Sequence, residues 1–186
     1  IGPYEAAAGL ELGAIKLIPW IESAKAVMNA QLMAGASSRI IAIAFGAEDY
    51  TVDMGLRRTD SGEEVYVPRG TTPIAARAAG VASLDSPYVA FRNSEGLKED
   101  CSTARQLGYN GKFAIHPAQI DTINETFSPN LEDVAYARRV MEAWNRAESD
   151  GRGSLDLDGK MVDVPVVKRA QNLLALVEAI NQQSRA

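Results

Sequence analysis

Histidine and cysteine each occur only once in this chain of 186 residues. Cys101 therefore cannot form an internal disulfide, and a metal site built from several imidazoles or thiolates is excluded. Basic residues are in the minority, with 19 Lys and Arg against 24 Asp and Glu. This balance argues against a nucleic-acid partner, because binding nucleic acid requires a basic surface. No apolar run in the sequence reaches the roughly 20 residues of a membrane-spanning helix, so we expect no membrane partner.

What the sequence does contain is typical of a water-soluble globular protein, with 46% hydrophobic and 23% charged residues. The length suits one ordinary domain or part of a larger one. The chain opens on Ile1 without a methionine, as expected of a processed, trimmed or partial chain. The lone cysteine fits a reducing compartment, and we expect either the bacterial cytoplasm or the mitochondrial matrix.

Apolar runs alternate with helical patterns through the first two thirds of the chain, which predicts an α/β fold with a parallel sheet. The predicted strands are Ala14–Ile21, Arg39–Phe45, Val81–Leu84 and Lys112–Ile115. The predicted helices are Ala24–Ala34, Pro73–Ala79, Ser94–Leu107 and a segment from His116 to about Phe127. The polar stretch between Asp49 and Gly70 is too long for a simple connection, which predicts a functional loop. Four such strand–helix units are half of an eight-stranded barrel, which usually needs ~250 residues.

The pattern changes in the last third of the chain. Leu131–Ser149 predicts a long amphipathic helix, and the glycines at 151 and 153 predict its end. Alternating apolar residues around an Asp-Gly pair predict a β-hairpin over Leu155–Val162. A final helix is predicted over Pro165–Ile180, so this region forms a helix–hairpin–helix extension.

We therefore predict two parts. Residues 1–127 form about four strand–helix units, which are either part of a barrel or an open sheet whose two hydrophobic edges need cover. Residues 128–186 form the extension, which we expect to contact other subunits because its long apolar helix face needs a partner.

Two carboxylates close successive predicted strands, since Glu22 follows the first strand and Asp49 the second. Carboxylates are rare within strands, and buried ones are costly unless they are paired or bind a metal. The carboxyl ends of parallel strands meet where ligands bind, so we expect Glu22 and Asp49 to face each other. Two oxygen donors suit a hard cation such as Mg²⁺. The alternative is a pair of structural acids that bind lysines or cap helices.

Four motifs, in order along the chain, carry a resemblance to a known family. They are Ile18–Ala24, Phe45–Tyr50, Gly108–Ile120 and Gly159–Pro165. Together they resemble the citrate lyase beta-subunit-like family of the HpcH/HpaI aldolase superfamily, whose relatives include malyl-CoA and citramalyl-CoA lyases. The resemblance implies a (βα)₈ TIM barrel. This chain would be its carboxyl-terminal half, because the family has about four such units before the first motif.

The resemblance implies a Mg²⁺-dependent carbon–carbon lyase. Its substrate would be a 3-hydroxyacyl-CoA such as citramalyl-CoA, malyl-CoA or citryl-CoA, cleaved to a keto acid and an acyl-CoA. It also implies a homotrimer or higher homo-oligomer, and a substrate-holding arginine that precedes the region present here. Malyl-CoA thioesterase activity, malate-synthase-like condensation and a non-catalytic partial homologue are the alternatives.

In the family, the residues that match Glu22 and Asp49 bind magnesium. The residue that matches Asp163 moves a proton in a neighbouring subunit's active site, although the sequence position equally suits a helix N-cap. Ile115, His116 and Pro117 fall in the region that lines the CoA pocket. For His116 a hydrogen-bonded turn residue is the favoured alternative, because no partner for a catalytic base is evident.

The segment before Asp49 is the predicted substrate-binding region. The small residues Gly46 and Ala47 would let backbone N–H groups approach a substrate carboxylate, although small residues at a strand end also serve packing alone. Glu48 is expected to support this region or to cap a helix, and a purely structural acid is the favoured alternative. Lys112 is expected to be structural, since it is predicted at the start of the fourth strand. Arg69, in the polar stretch, is expected to be a solvated charge or a contact for CoA phosphates.

Overall fold

Parallel strands, each followed by helices, form the first of two units in the chain. The computed structural model describes residues 1–149 and 153–183, and its two units are Ile1–Phe127 and Ser128–Ala186. The strands of the first unit are β1 (Trp20–Ile21), β2 (Ala42–Phe45), β3 (Ala82–Asp85) and β4 (Gly111–Lys112). They are all parallel and adjacent in chain order. The prediction of an α/β fold with a parallel sheet is confirmed.

Seven α-helices connect or flank these strands among the described residues of the first unit. They are α1 (Gly2–Ala7), α2 (Ala24–Met28), α3 (Ala30–Ala34), α4 (Ala47–Asp53), α5 (Tyr66–Ala79), α6 (Ser94–Leu107) and α7 (Ile120–Phe127). Two short 3₁₀ helices, Glu63–Val65 and Pro117–Gln119, precede α5 and α7. Helix α6 has the predicted bounds, and its buried stripe includes Cys101, as its apolar spacing requires.

One face of the sheet is covered by helices. Ile21 and Ile43 pack against alanines of α3 and α5, and Phe45 packs against Ala104 of α6. Since β1, β2 and β3 are in register, side chains at matching positions point to the same face. The strand ends therefore present one set of residues to the helices and another to the opposite face.

The first and last strands are shorter than predicted. Before β1 only a bridge between Leu17 and Ile40 joins the chain to its neighbour. Pro19 lies between this bridge and β1 and cannot donate a ladder hydrogen bond, although its carbonyl accepts the N–H of Ala44 at 2.9 Å. Strand β4 ends at Lys112, so this lysine lies at the carboxyl end of the sheet rather than at the start of a strand.

Helix α5 begins seven residues earlier than predicted, so Pro73 lies in its interior. Proline lacks an N–H group, which leaves the carbonyl of Arg69 without its usual helical donor. The hydroxyl of Tyr109 donates to this carbonyl at 2.7 Å. A tertiary contact therefore stabilises a helix that local sequence rules would end. Helix α4 also occupies the start of the segment between Asp49 and Gly70, so the loop predicted there is much shorter than expected.

The second unit contains two helices and a hairpin among its described residues. The elements are α8 (Leu131–Ser149), β5 (Leu155–Leu157), β6 (Lys160–Val162) and α9 (Val164–Gln183). Strands β5 and β6 pair antiparallel, and the turn residues Asp158 and Gly159 have φ angles of 56° and 76°. These angles explain why Asp-Gly predicts such a hairpin. The predicted helix end at Gly151 lies outside the described residues.

The core of the second unit is formed by α8, α9 and β6. It contains Ala137, Val140, Val162, Val167 and Ala170. Within the described parts of both units, no helix has the length and apolar character needed to cross a membrane.

Helix α1 was not predicted, and a buried carboxylate holds it in place. Glu5 is fully buried and accepts two hydrogen bonds of 2.6 Å from the guanidinium of Arg39. It also accepts the N–H groups of Gly13 and Ile15. The hydrogen bond from Arg39 is the largest cause of the lowered pKa of Glu5, from 4.5 to about 2. Bidentate pairing of this kind ties the start of the chain to the approach to β2.

Glu5→Gln should lower the free energy of unfolding at pH 7. Because the folded-state pKa lies below 4.5, ionised Glu5 stabilises the fold above that pH and loses its effect as the pH falls towards 2. The stability difference between wild type and variant should therefore shrink between pH 4.5 and pH 2, as measured by urea denaturation. Glu11→Gln, at an exposed position, is the control. A difference independent of pH would show that the charge of Glu5 does not stabilise the fold.

Candidate active site

Glu22 and Asp49 lie together at the carboxyl ends of β1 and β2. Glu22 directly follows β1, and Asp49 lies in the first turn of α4, which follows β2. Burial raises the pKa of Glu22, and the charge of Asp49 and a hydrogen bond between the two carboxyl groups raise it further. The structure therefore brings together the two carboxylates that the sequence predicted to face each other.

No basic side chain among residues 1–149 and 153–183 forms an ion pair with either carboxylate. Burial is the largest cause of the raised pKa of Glu22, and repulsion between two neighbouring carboxylates without a cation adds to it. A bound divalent cation would remove this repulsion.

Gly46 makes the approach of the two carboxylates sterically possible. A Cβ at this position would lie 2.8 Å from both Cβ and Oε2 of Glu22, and 3.2 Å from the ring of Trp20. These contacts are too close for any side chain, so Gly46 provides the space that Glu22 occupies. The sequence marked Gly46 as small but gave no indication of which side chain would fill the space.

The backbone amides of Gly46 and Ala47 already have hydrogen-bond acceptors. The N–H of Gly46 donates to the carbonyl of Ile21 at 3.0 Å, and that of Ala47 donates to the hydroxyl of Ser86 at 3.2 Å. Both amides therefore fix the turn within the chain, and their approach to a substrate carboxylate stays a prediction.

Glu48 is exposed and pairs with Arg58, whose Nε lies 3.2 Å from Oε1 of Glu48. The same guanidinium donates to Glu64 at 2.6 Å, and Glu64 also accepts the hydroxyl of Thr59. These contacts hold the segment between α4 and α5 against the turn that bears Asp49. This pairing is the structural role that the sequence favoured for Glu48, and a contact of Glu48 with substrate stays a prediction.

A buried network of charges lies on the helix-covered side of β3 and β4. Arg69 and Lys112 both bind the carboxylate of Asp85, with shortest distances of 2.6 Å, and both bind Asp100 on α6. The side chains of Lys112 and Asp85 are 1% and 0% exposed. Arg69 is thus a buried structural residue and not a solvated charge, which corrects the expectation for it. The structural role expected for Lys112 is confirmed.

A cavity of about 280 Å³ adjoins this network. Its lining includes Ala47, Arg58, Ser86, Tyr88 and Lys112. The cavity therefore borders the turn after β2 and the residue that follows β3. Sequence reasoning did not identify Ser86 or Tyr88, because neither belongs to a recognisable catalytic pattern.

An aromatic pair lies near the carboxylates. The rings of Trp20 and Phe113 stack with centroids 4.7 Å apart, and Trp20 is adjacent in sequence to the strand end that bears Glu22. The register places Trp20, Ala44, Leu84 and Gly111 on the same face of the sheet. This face is opposite the helix-covered one, and its small residues leave room for the two rings.

The predicted CoA-binding residues form an exposed turn after β4. Nδ1 of His116 accepts the N–H of Ala118 at 3.2 Å, and the imidazole stacks on the ring of Phe91. The N–H of Ile115 donates to the buried side chain of Gln119 at 2.9 Å. Ile115, His116 and Pro117 are all exposed. His116 is a hydrogen-bonded turn residue, as the alternative interpretation expected.

Asp163 lies in the second unit, at the start of α9. Its Oδ1 accepts the N–H of Val166 at 3.2 Å, so it acts as the helix N-cap. The bond to Val166 uses one of the two carboxyl oxygens.

The donor set of Glu22 and Asp49 fits Mg²⁺ better than a transition metal. No group of three or more His, Cys, Asp or Glu side chains that could hold a metal occurs among the described residues. Mg²⁺ commonly uses one or two protein carboxylates and completes its octahedron with waters and substrate oxygens. Two carboxylates without imidazole or thiolate are therefore a sufficient protein contribution.

The parallel sheet with helices between its strands defines an α/β protein, a class in which ligands generally bind at the carboxyl edge of the sheet. Comparison with known proteins gives a more specific assignment. The chain belongs to the HpcH/HpaI aldolase/citrate lyase family, whose model matches residues 3–117.

Individual relatives agree with this assignment. Citrate lyase subunit beta of Haemophilus influenzae is 39% identical over 174 residues, covering 94% of this chain and 60% of that protein. A (3S)-malyl-CoA thioesterase of Cereibacter sphaeroides is 35% identical, covering 86% of this chain and 56% of that protein. The chain therefore spans less than two thirds of the length of these relatives.

A solved structure is similar as well. It is the protein CitE from Mycobacterium tuberculosis in complex with magnesium, acetoacetate and coenzyme A. The match has a TM-score of 0.72 and 32% sequence identity, and it covers 89% of this chain and 62% of that one.

Lys112→Met should destabilise the first unit by about 3–5 kcal/mol, because it leaves Asp85 and Asp100 with incomplete charge compensation in a buried site. Lys98→Met makes the same change at an exposed position of α6 and should cost less than about 0.5 kcal/mol. Urea denaturation followed by circular dichroism gives both values. Equal stability of the two variants would show that the network contributes nothing to the fold.

Proposed function

We propose that this chain is part of a Mg²⁺-dependent carbon–carbon lyase that cleaves a 3-hydroxyacyl-CoA to a keto acid and an acyl-CoA. The observation that carries the proposal is the pair Glu22 and Asp49, two facing carboxylates without a described cationic partner in a member of this family. The complex of a related protein with magnesium and coenzyme A supports the choice of metal and of thioester.

In this proposal the first unit is the carboxyl-terminal half of a (βα)₈ barrel. Four parallel strands in chain order are the arrangement that such a half requires. The substrate-holding arginine would belong to the other half. The second unit would contact neighbouring subunits in a homotrimer or higher homo-oligomer, and the protein would act in the bacterial cytoplasm or the mitochondrial matrix.

Glu22 and Asp49 would hold the cation through carboxylate oxygens. Bound Mg²⁺ would supply positive charge that polarises the 3-hydroxy oxygen of the substrate and orients it for cleavage. Gly46 leaves the space that the Glu22 side chain occupies. Ala47 borders the cavity beside Arg69 and Lys112, where it would contact substrate. Glu48, held by Arg58, would complete the substrate-binding side of the turn.

Cleavage requires two proton movements. A base removes the proton of the 3-hydroxy group, the carbon–carbon bond breaks, and its electron pair forms the enolate of the acyl-CoA thioester. An acid then protonates the enolate carbon. We propose Asp163 as the proton-transfer group, acting in the active site of a neighbouring subunit. The stacked rings of Trp20 and Phe113 would limit access of water to the site.

The CoA moiety would lie along the exposed turn of Ile115, His116 and Pro117. This turn follows β4 and therefore lies at the same end of the sheet as the carboxylates. The imidazole of His116 and the ring of Phe91 form an exposed stacked surface there, which suits contact with a planar nucleotide base.

Thioester hydrolysis is the second candidate. It is favoured by the similarity to a protein named (3S)-malyl-CoA thioesterase. The products distinguish the two reactions. From malyl-CoA, a lyase releases glyoxylate and acetyl-CoA, whereas a thioesterase consumes water and releases malate and free CoA. Mass spectrometry of the products identifies which reaction occurs. If citramalyl-CoA, malyl-CoA and citryl-CoA all yield neither set of products, the lyase and the thioesterase proposals are both refuted.

Mg²⁺ binding tests the site directly. Titration calorimetry should detect a Mg²⁺ site in the wild type, and Glu22→Gln or Asp49→Asn should weaken it at least about tenfold, equivalent to about 1.4 kcal/mol. Glu125→Gln, an exposed substitution on α7, should leave the affinity unchanged. Wild-type protein without a Mg²⁺ site, or variants with unaltered affinity, would rule out the proposed metal site.

Gly46→Ala should also weaken Mg²⁺ binding, because its methyl group would displace the Glu22 carboxylate by contacts of 2.8 Å. The affinity should fall at least about tenfold, the same 1.4 kcal/mol scale, while the fold is retained. Gly35→Ala is the matched control, since its Cβ would meet no atom closer than 3.5 Å. The steric explanation fails if Gly46→Ala binds Mg²⁺ as tightly as Gly35→Ala.

A further inference from the structure

We propose that Ser86 is a positioning residue that fixes the turn bearing Asp49 and thereby sets the affinity of the Glu22–Asp49 pair for Mg²⁺. This inference rests on the proposed function. Ser86 directly follows β3 and does not belong to the carboxylate pair, so its effect is transmitted through the backbone of another element.

The contact between Ser86 and the turn is a single buried hydrogen bond. The Oγ of Ser86 accepts the N–H of Ala47 at 3.2 Å, and both residues are buried. The backbone pairing of β2 and β3 ends at Ala44 and Leu84. The serine hydroxyl thus continues the connection between the two strands beyond the point where their ladder stops.

Two successive amides fix the turn to both neighbouring strands. The N–H of Gly46 donates to the carbonyl of Ile21, the residue before Glu22, and the N–H of Ala47 donates to Ser86. Asp49 lies in the same helical turn as Ala47. The first bond keeps the turn close to the strand of Glu22, and the second holds it from the opposite side.

Ser86 is itself held in place by the buried charges. Nζ of Lys112 donates to the carbonyl of Ser86 at 2.5 Å, and Lys112 also binds Asp85 and Asp100. Because this lysine is nearly inaccessible to solvent, its position is set by the two carboxylates. The network therefore provides a rigid support from which Ser86 can fix the turn.

A small movement of Asp49 should matter because Mg²⁺ demands nearly ideal octahedral geometry with short bonds to oxygen. Ca²⁺ accepts longer bonds and irregular coordination. Loss of the Ser86 contact should therefore weaken Mg²⁺ binding more than Ca²⁺ binding. A residue that only stabilised the fold would not alter this ratio.

Ser86→Ala tests the inference, with Ser83→Ala as the matched control. Ser83 is a buried serine within β3, and its Oγ faces Asn110 at 3.4 Å, away from the turn that bears Asp49. Titration calorimetry with Mg²⁺ and with Ca²⁺ on the full chain should show about tenfold weaker Mg²⁺ binding for Ser86→Ala, a smaller loss for Ca²⁺, and no change for Ser83→Ala. Ser86→Thr, which retains the hydroxyl oxygen, should recover most of the affinity.

The outcomes separate this inference from the proposed function. Wild-type protein that binds no Mg²⁺ would overturn both. Wild-type binding with equal Mg²⁺ affinities for Ser86→Ala and Ser83→Ala, or with equal losses for both cations, would overturn only the role of Ser86. If Ser86→Ala does not fold by circular dichroism, Ser86→Cys replaces it, since sulfur keeps the size of the side chain but is a weaker acceptor. Unchanged Mg²⁺ affinity of Ser86→Cys would then overturn the inference.

Discussion

The mutual repulsion of Glu22 and Asp49 is the constraint around which the strand ends of the first unit are arranged. Two carboxyl groups that share a hydrogen bond, one of them with a raised pKa, are costly unless a proton or a cation lies between them. The surrounding structure nevertheless holds them together. Because Gly46 has no side chain, Glu22 can lie against it, and amide hydrogen bonds fix the turn that bears Asp49.

The other acidic cluster of the same sheet shows the contrast. Asp85 and Asp100 also lie close together, because both bind Arg69 and Lys112, and these two cations compensate their charge. This network is complete within the chain and therefore structural. The carboxylates on the opposite face have no such partner among the described residues. A site that requires an external cation is a better candidate for function than one whose charges are already balanced.

Local patterns account for what could be predicted. The amphipathic stripe of α6 predicted both bounds of that helix and the stripe of α8 predicted its start, and the Asp-Gly pair predicted the hairpin, because periodicity and turn chemistry act over a few residues. The closeness of Glu22 and Asp49 was also predictable, since parallel strands bring their carboxyl ends together.

The remaining features depend on contacts between distant residues. The interior of α5 contains Pro73 because Tyr109, far along the chain, satisfies the carbonyl that the proline leaves without a donor. Arg69 is buried because Asp85 and Asp100 come from two other elements. The sequence showed that residue 46 is small, but not that the side chain of Glu22 lies against it. No local rule predicts such contacts.

The N-cap geometry of Asp163 is compatible with proton transfer. A helix cap requires one oxygen as an acceptor, and Oδ1 performs this role for Val166. Carboxylate has a second oxygen that this bond does not use. The cap would fix the direction of the carboxyl group, and proton transfer benefits from a group whose orientation is set before substrate binds. The observed N-cap and the proposed proton transfer therefore do not compete for the same carboxyl oxygen.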